Sequence, residues 1–287
     1  MAAVSGPVDS ARLTAGVAAL EARGYRVVLA ENVGRVDGFL AGTDRQRADG
    51  YRRLLADPSV DAIFFARGGY GASRILGLLD PAEVAANPKI HLGGSDLTAL
   101  LAFVGKSAGL VTFYGPMVAV EMSGAGKLDW EAILTGATPE PHVFSAEDVL
   151  SPGRGEGPLV GGCLSLLASM AGTPEAVSGR DSILFWEDTG EAIYRIDRLL
   201  TQLERSDTLD GLRAMVIGSV VPAAGESPDA VRTYLRGRFD GAPFPVAFGL
   251  PAGHLAAART LPLGAPVTLE ADAVRGGRLV FGGPAVR

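Results

Sequence analysis

Apolar residues at Leu13, Val17 and Leu20 in "VDSARLTAGVAALEARG" follow the spacing of one helix face. Asp9 or Ser10 stands at its expected start, and Gly24 at the position of a C-terminal cap. "YRVVLA" then reads as a strand. "GTDRQRADGYRRLLADP" reads as a second helix, capped by Thr43 and stopped by Pro58. "VDAIFFA" is short and wholly apolar, as a strand buried on both faces would be. "GASRILGLLD" predicts a helix, "KIHLGG" a strand, "DLTALLAFVGKS" a helix and "GLVTFY" a strand. Apolar strands separated by helices predict a parallel sheet covered on both sides.

The pattern weakens between Gly124 and Gly157, where Gly, Pro, Ser and acidic residues dominate. Residues 126–157 are read as a linker carrying a short helix, between a domain over 1–125 and another over 158–287. In that second domain "PLVGGCLSLLASMAG", "SILFWED", "AIYRIDRLLTQLERSD", "RAMVIGSVV", "PVAFGL" and "APVTLEA" mix short strands with helices, an α+β pattern. No internal repeat or low-complexity block is evident.

Composition narrows the classes. The 287 residues are 47% hydrophobic and 20% charged, enough apolar material for a large core. Net charge is −6, with no basic block to suit nucleic acid or an anionic membrane. Cys163 is the one cysteine, which excludes an intrachain disulfide and a multi-thiolate metal site and suits a reducing compartment. "MAAVSGPVDSARL" lacks the basic and apolar regions of a secretory leader, and no apolar run reaches 18 residues. The expectation is a cytoplasmic protein with no membrane partner.

In an open parallel sheet, chemistry gathers in the loops at the carboxyl ends of the strands. "ARGGYGASR", "HLGGSDLT" and "TFYGPM" occupy such places. Ser95 lies between a strand and a helix and has two readings. It or Asp96 could cap the helix. Alternatively Ser95 is a nucleophile on a sharp strand–turn–helix corner, with Gly93 and Gly94 permitting the turn and the helix start facing its Oγ. The flanking residues do not form G-x-S-x-G. "RGGYG" is neither a Walker loop nor a dinucleotide fingerprint, since Arg74 stands where a last glycine would be. It reads as a flexible loop, as a donor of backbone N–H groups to an oxyanion, or as a carboxylate clamp using Arg67 or Arg74.

A serine nucleophile needs a base. His91 lies inside a strand, where it is expected to point elsewhere, and His142 lies in the stretch read as a linker. His254, in the Gly/Pro-rich "GLPAGHLAAARTLPLG", has the best setting. Glu187 and Asp188 end the strand "SILFWED" and could orient such a base, or simply terminate the strand. All three groups fall at strand ends in the order serine, acid, histidine.

Taken together, "ARGGYGASRIL", "GGSDLTAL", "TFYGPM", "GGCLSLLASMAGTP", "LFWEDTGEAIYRIDRLLTQLERSDTL" and "GLPAGHLAAARTLPLGAPVTLEA" resemble the LD-carboxypeptidase family of serine peptidases, in the family's order and over nearly the whole chain. That family includes muramoyltetrapeptide carboxypeptidase and the microcin C self-immunity protein. The resemblance implies an N-terminal flavodoxin-like (amidotransferase-like) parallel α/β domain and a smaller β-rich α+β C-terminal domain. It implies Ser95 as nucleophile, His254 as base and Glu187 as orienting acid, with Asp188 still open. It implies oxyanion donors at the backbone N–H groups of Asp96 and Gly69; Arg67, at a strand end near the glycines, is the candidate to hold the substrate's terminal carboxylate. It implies no metal or organic cofactor, a small peptide or muropeptide substrate, and a homodimer. Three features depart from the family: Tyr114 where a histidine often precedes "GPM", Cys163 where an asparagine is usual, and a first strand reduced to "MAAVS".

The implied reaction is hydrolysis of the amide before a C-terminal D-amino acid in an L,D-peptide, within cell-wall recycling. Two alternatives stand beside it. One is a hydrolase of peptidyl or aminoacyl nucleotides, as in the microcin-immunity branch. The other is a non-catalytic peptide-binding protein on the same fold.

Overall fold

The computed structural model describes residues 1–124, 126 and 128–286. The chain forms two compact units, 1–130 with 256–260, and 131–255 with 261–287.

The first unit has a parallel sheet of β1 (Ala62–Phe64), β2 (Ile90–Gly93) and β3 (Thr112–Tyr114), in the order β1-β2-β3. Ala2 adds a parallel bridge to Phe65 beside β1. Around it lie α1 (Ser10–Glu21), α2 (Asp44–Ala56), α3 (Ala72–Ile75), α4 (Pro81–Ala86) and α5 (Thr98–Ala108). The predicted caps hold: Asp9 accepts from Arg12 N, and Thr43 with Gln46 forms a reciprocal capping box. Helix α5 buries Thr98, Ala99, Leu100, Leu101, Phe103 and Val104, leaving little wet surface. The helix expected over Gly71–Asp80 stops at Ile75 and continues as a 3-10 turn to Leu78. "YRVVLA" is not a strand. Met1 donates its amino group to Val28 O, and Ala30 N–H donates to Met1 O. Both bonds lie in the second half of the segment and reach a single residue, Met1, so no ladder is built.

His91 on β2 is fully buried. Its Nε2 lies 2.9 Å from the Tyr51 hydroxyl and its Nδ1 2.9 Å from the Lys89 carbonyl. That pairing suits a neutral ring, Nδ1–H donating and Nε2 accepting. Burial lowers its pKa from 6.5 to about 4. Between those values the unfolded chain holds more protons, so stability falls as pH drops from 6.5 toward 4 and levels off below. Between pH 7 and 4.5 we expect the protein to lose about 2 kcal/mol through this group. Urea unfolding at both pH values should show a His91→Gln variant lacking that increment; an equal loss in both proteins would refute it.

The second unit carries one mixed eight-stranded sheet. Its strands are β4 (His142–Phe144), β5 (Val149–Ser151), β6 (Gly153–Cys163), β7 (Ile183–Glu191), β8 (Ala214–Pro222), β9 (Val246–Phe248), β11 (Pro266–Asp272) and β12 (Gly276–Phe281); β10 (Leu261–Leu263) precedes β11. The order is β4-β12-β11-β6-β7-β8-β9-β5. Strands β6 to β9 are parallel neighbours, and both flanks are antiparallel. Three helices are α7 (Leu164–Met170), α8 (Ile193–Arg205) and α9 (Pro228–Phe239), while α6 (Trp130–Leu134) starts at the boundary. In α8, Ile196, Leu200 and Leu203 are buried at helical spacing. The core of β7 is Ile183, Leu184, Phe185 and Trp186, all 0% exposed.

The stretch 126–157, expected as a linker, supplies β4, β5, the first half of β6 and all but the first residue of α6 to this unit. Pro152 separates β5 from β6, while Gly153, Gly155 and Gly157 lie within β6 itself. Gly155 and Gly157 in β6 lie so close to the backbone at Arg213 and Asp181 that a Cβ would sit 2.2 and 2.4 Å from their carbonyl oxygens. The second unit also holds slightly more residues than the first.

Candidate active site

Ser95 lies where β2 ends and begins a 3-10 turn, Ser95–Leu97, leading into α5. Its φ is +58°, the left-handed region that a serine rarely occupies. Its side chain caps neither the turn nor α5. Ser95 N–H donates to the Tyr114 hydroxyl at 2.8 Å, and the Thr98 hydroxyl donates to Ser95 O at 2.7 Å. Strained backbone held from both ends fits a presented side chain better than a cap.

The Asp96 carboxylate caps neither its own turn nor α5, and reaches instead to the first N–H of α3. It is fully buried and accepts from the Ser5 hydroxyl at 2.6 Å and from Ala72 N–H at 2.8 Å. Burial pushes its pKa up, against these bonds and the nearby Arg47 charge. Arg47, also buried, donates to Gly71 O at 2.7 Å, to Gly42 O at 3.2 Å and to Val4 O. Asp96 and Arg47 thus grip the end of "RGGYGA", the first at Ala72 N–H and the second at Gly71 O.

Gly68 is the glycine packed on Ser95. A Cβ there would stand 2.9 Å from Ser95 Cβ, 3.1 Å from Ser95 Oγ and 3.4 Å from Asp96 N. Gly68 O accepts Gly6 N–H at 3.1 Å. Gly69 N–H belongs to the same trans peptide as that carbonyl, so it points away from Gly6. Arg67 is exposed, and its Nη1 donates to Pro7 O at 3.1 Å. Arg74 pairs instead with Asp44 at 2.9 Å.

In the second unit Glu187 and His254 are brought together. His254 Nδ1 lies 2.7 Å from Glu187 Oε2, and His254 N–H donates to the same oxygen at 3.1 Å. Glu187 is 0% exposed and His254 is partly exposed. A carboxylate on Nδ1–H fixes the tautomer and leaves the lone pair at Nε2. Asp188 faces other partners. It accepts from Ser165 N–H in the first turn of α7 and from Thr189 N–H, both at 2.8 Å. Burial is the main cause that raises its pKa. Burial, with the Asp188 and Glu187 charges, raises the Cys163 thiol well above its ordinary value, so Cys163 is a poor nucleophile.

Two glycines make room for Glu187: Gly218, not singled out in the sequence, and Gly253, in the quoted "GLPAGH" stretch but without an assigned role. A Cβ on Gly218 would meet Glu187 Cβ at 3.1 Å and Ala252 O at 2.6 Å. Gly253 has φ +108°, and a Cβ there would be 2.3 Å from Glu187 Oε2. Gly253→Ala is therefore expected to displace the Glu187–His254 pair and lower kcat by roughly 10–100-fold. Steady-state kinetics alongside a thermal melt check this; unchanged kcat would mean that the loop absorbs the methyl group.

Among the described residues, no group of three His, Cys, Asp or Glu could hold a metal ion, and no helix is long and apolar enough to cross a membrane.

Comparison with known proteins matches the two halves separately. Residues 1–115 match the LD-carboxypeptidase N-terminal domain, and residues 156–269 the LD-carboxypeptidase C-terminal domain. A Streptomyces coelicolor protein named as a carboxypeptidase is 42% identical, over 94% of this chain and 89% of its own. The microcin C7 self-immunity protein of Escherichia coli is 30% identical, over 91% of this chain and 86% of its own. The crystal structure of muramoyltetrapeptide carboxypeptidase from Oxalobacter formigenes superposes with a TM-score of 0.83 at 31% identity, covering 98% of each chain.

Proposed function

Because this chain belongs to the LD-carboxypeptidase family and is a serine-type carboxypeptidase, we propose that it removes a C-terminal D-amino acid from an L,D-peptide of murein tetrapeptide type, in the cytoplasm, as a step of wall recycling. The observation that carries the reading is the Glu187–His254 pair, a buried carboxylate on the Nδ1 of a partly exposed imidazole. That pair is the general base a serine peptidase requires.

In this mechanism Ser95 Oγ attacks the carbonyl carbon of the last amide, and His254 Nε2 takes the hydroxyl proton. Glu187 keeps the proton on Nδ1 and stabilises the imidazolium. The tetrahedral oxyanion is held by the backbone N–H groups of Asp96 and Gly69, each worth about 3–4 kcal/mol. His254 then protonates the leaving amine, and water resolves the acyl-enzyme by the same route in reverse. Arg67, exposed in the same loop as Gly69, meets the substrate's terminal carboxylate. Cys163 and Asp188 have no chemical step.

The test is incubation of the purified protein with L-Ala-D-Glu-diaminopimelate-D-Ala and measurement of released D-alanine. An all-L peptide of the same length serves as comparison. We expect D-alanine release and little cleavage of the all-L peptide. No release from the L,D-peptide, with cleavage of an aminoacyl-nucleotide amide instead, would transfer the chain to the microcin-immunity type of reaction.

A further inference from the structure

We infer that Tyr114 is a positioning residue whose phenol oxygen holds the backbone of Ser95 in its left-handed conformation and occupies the nucleophile's own N–H. The inference rests on the peptidase reading for its kinetic consequence, but its structural part stands apart from it.

Five observations lead there. Ser95 has φ +58°, a conformation that costs an L-residue energy and needs outside support. Its N–H belongs to the first residue of a 3-10 turn, where no carbonyl within the turn reaches it. The Tyr114 hydroxyl accepts that N–H at 2.8 Å. Tyr114 is itself 2% exposed and ends β3, next to β2 in the sheet, so its ring enters from a rigid strand rather than a loop. The ring also packs on the turn: a Cβ on Gly94 would lie 3.5 Å from the Tyr114 ring carbon that bears the hydroxyl.

The consequence is geometric. With the Ser95 N–H bound to Tyr114 and the Ser95 carbonyl bound to Thr98, rotation of the peptide planes on either side of Ser95 is restricted. The direction of Cα–Cβ, and hence the arc open to Oγ, is set by those two bonds. Loss of the phenol oxygen leaves the N–H without this acceptor and lets Ser95 relax toward negative φ, turning its hydroxyl away from its presented direction. Substrate binding uses other groups, so the defect falls on kcat rather than KM.

Tyr114→Phe removes the oxygen and keeps the ring. Amide hydrogen exchange followed by NMR reads the bond directly, with no substrate needed. We expect the Ser95 amide to exchange at least tenfold faster, with Leu92 and Phe113 unchanged. In D-alanine release we expect kcat to fall about 10–100-fold at constant KM. Tyr114→His, which returns a ring with an acceptor nitrogen, is expected to recover most of both. Unchanged Ser95 exchange in a folded Tyr114→Phe protein overturns the inference. So does faster exchange with kcat intact. If the wild-type protein releases no D-alanine while the exchange result holds, the peptidase reading fails and the positioning of Ser95 stands. If Tyr114→Phe does not fold, Tyr114→His carries the decision. Retained Ser95 protection with kcat within tenfold of wild type supports the inference, and lost protection in a folded protein with normal kcat overturns it.

Discussion

Ser95→Ala is expected to lower kcat for D-alanine release by roughly 10⁴–10⁶-fold while leaving the melting temperature within a few degrees of wild type. The two halves of that expectation answer the two readings of this serine. As a helix cap, its loss would cost about 1 kcal/mol and lower the melting temperature, with activity falling only through instability. As a nucleophile, its loss removes the covalent step, so that only water attack assisted by His254 and the oxyanion donors remains. The structure has no capping bond from Ser95, and its backbone is secured by Tyr114 and Thr98, groups that an alanine leaves in place. Alanine at φ +58° carries much the same strain as serine, so even that cost cancels. Single-turnover kinetics over hours and a calorimetric melt measure both. A variant within tenfold of wild-type kcat would remove Ser95 from the chemistry.

What the sequence could carry depended on the range of each interaction. Local signals did well: Asp9 and Thr43 as caps, and Ser95 at a strand–turn–helix junction. The apolar runs "VDAIFFA" and "KIHLGG" contain β1 and β2. The apparent linker failed because its strands β4 and β5 are three residues each and find their partners β12 and β9 roughly 100 residues or more away, which no local period records. "YRVVLA" failed in the opposite sense, since strand propensity builds no ladder where the cross-chain bonds reach a single residue, Met1. At the site, motif order named Ser95, Glu187 and His254, but the choice between Glu187 and Asp188 required seeing which carboxylate reaches the ring. Gly218 drew no notice, and Gly68 and Gly253 lay inside quoted motifs with their packing roles hidden, for a related reason. A glycine chosen because a neighbour would collide with a Cβ looks in sequence like any turn glycine. The directly preceding position of Gly253 before His254 is the one clue that could have been read.

Glu187→Gln is expected to lower kcat by roughly 10⁴-fold with little change in KM, whereas Asp188→Asn should keep kcat within about tenfold. The neighbouring acids offer an internal control, because both are buried and both lie within β7, which runs on past the expected end at Asp188 to Glu191. Glutamine retains the size of glutamate and can still fill the space between Gly218 and Gly253. What changes is the atom facing His254 Nδ1 and its charge. An amide presenting its nitrogen favours the tautomer with the proton on Nε2, the wrong one for taking a proton from serine. An amide presenting its oxygen keeps the tautomer but cannot stabilise the imidazolium that forms. Either arrangement removes the base at the moment it is needed. Asp188 does different work: it accepts from Ser165 N–H at the start of α7 and from Thr189 N–H, bonds that an asparagine oxygen can keep in part. Its substitution should appear as a loss of about 1 kcal/mol in unfolding experiments. Comparing kcat with the unfolding free energy for the two variants separates the roles, and a reversed pattern, with Asp188→Asn inactive and Glu187→Gln active, would assign the orienting carboxylate to Asp188 instead.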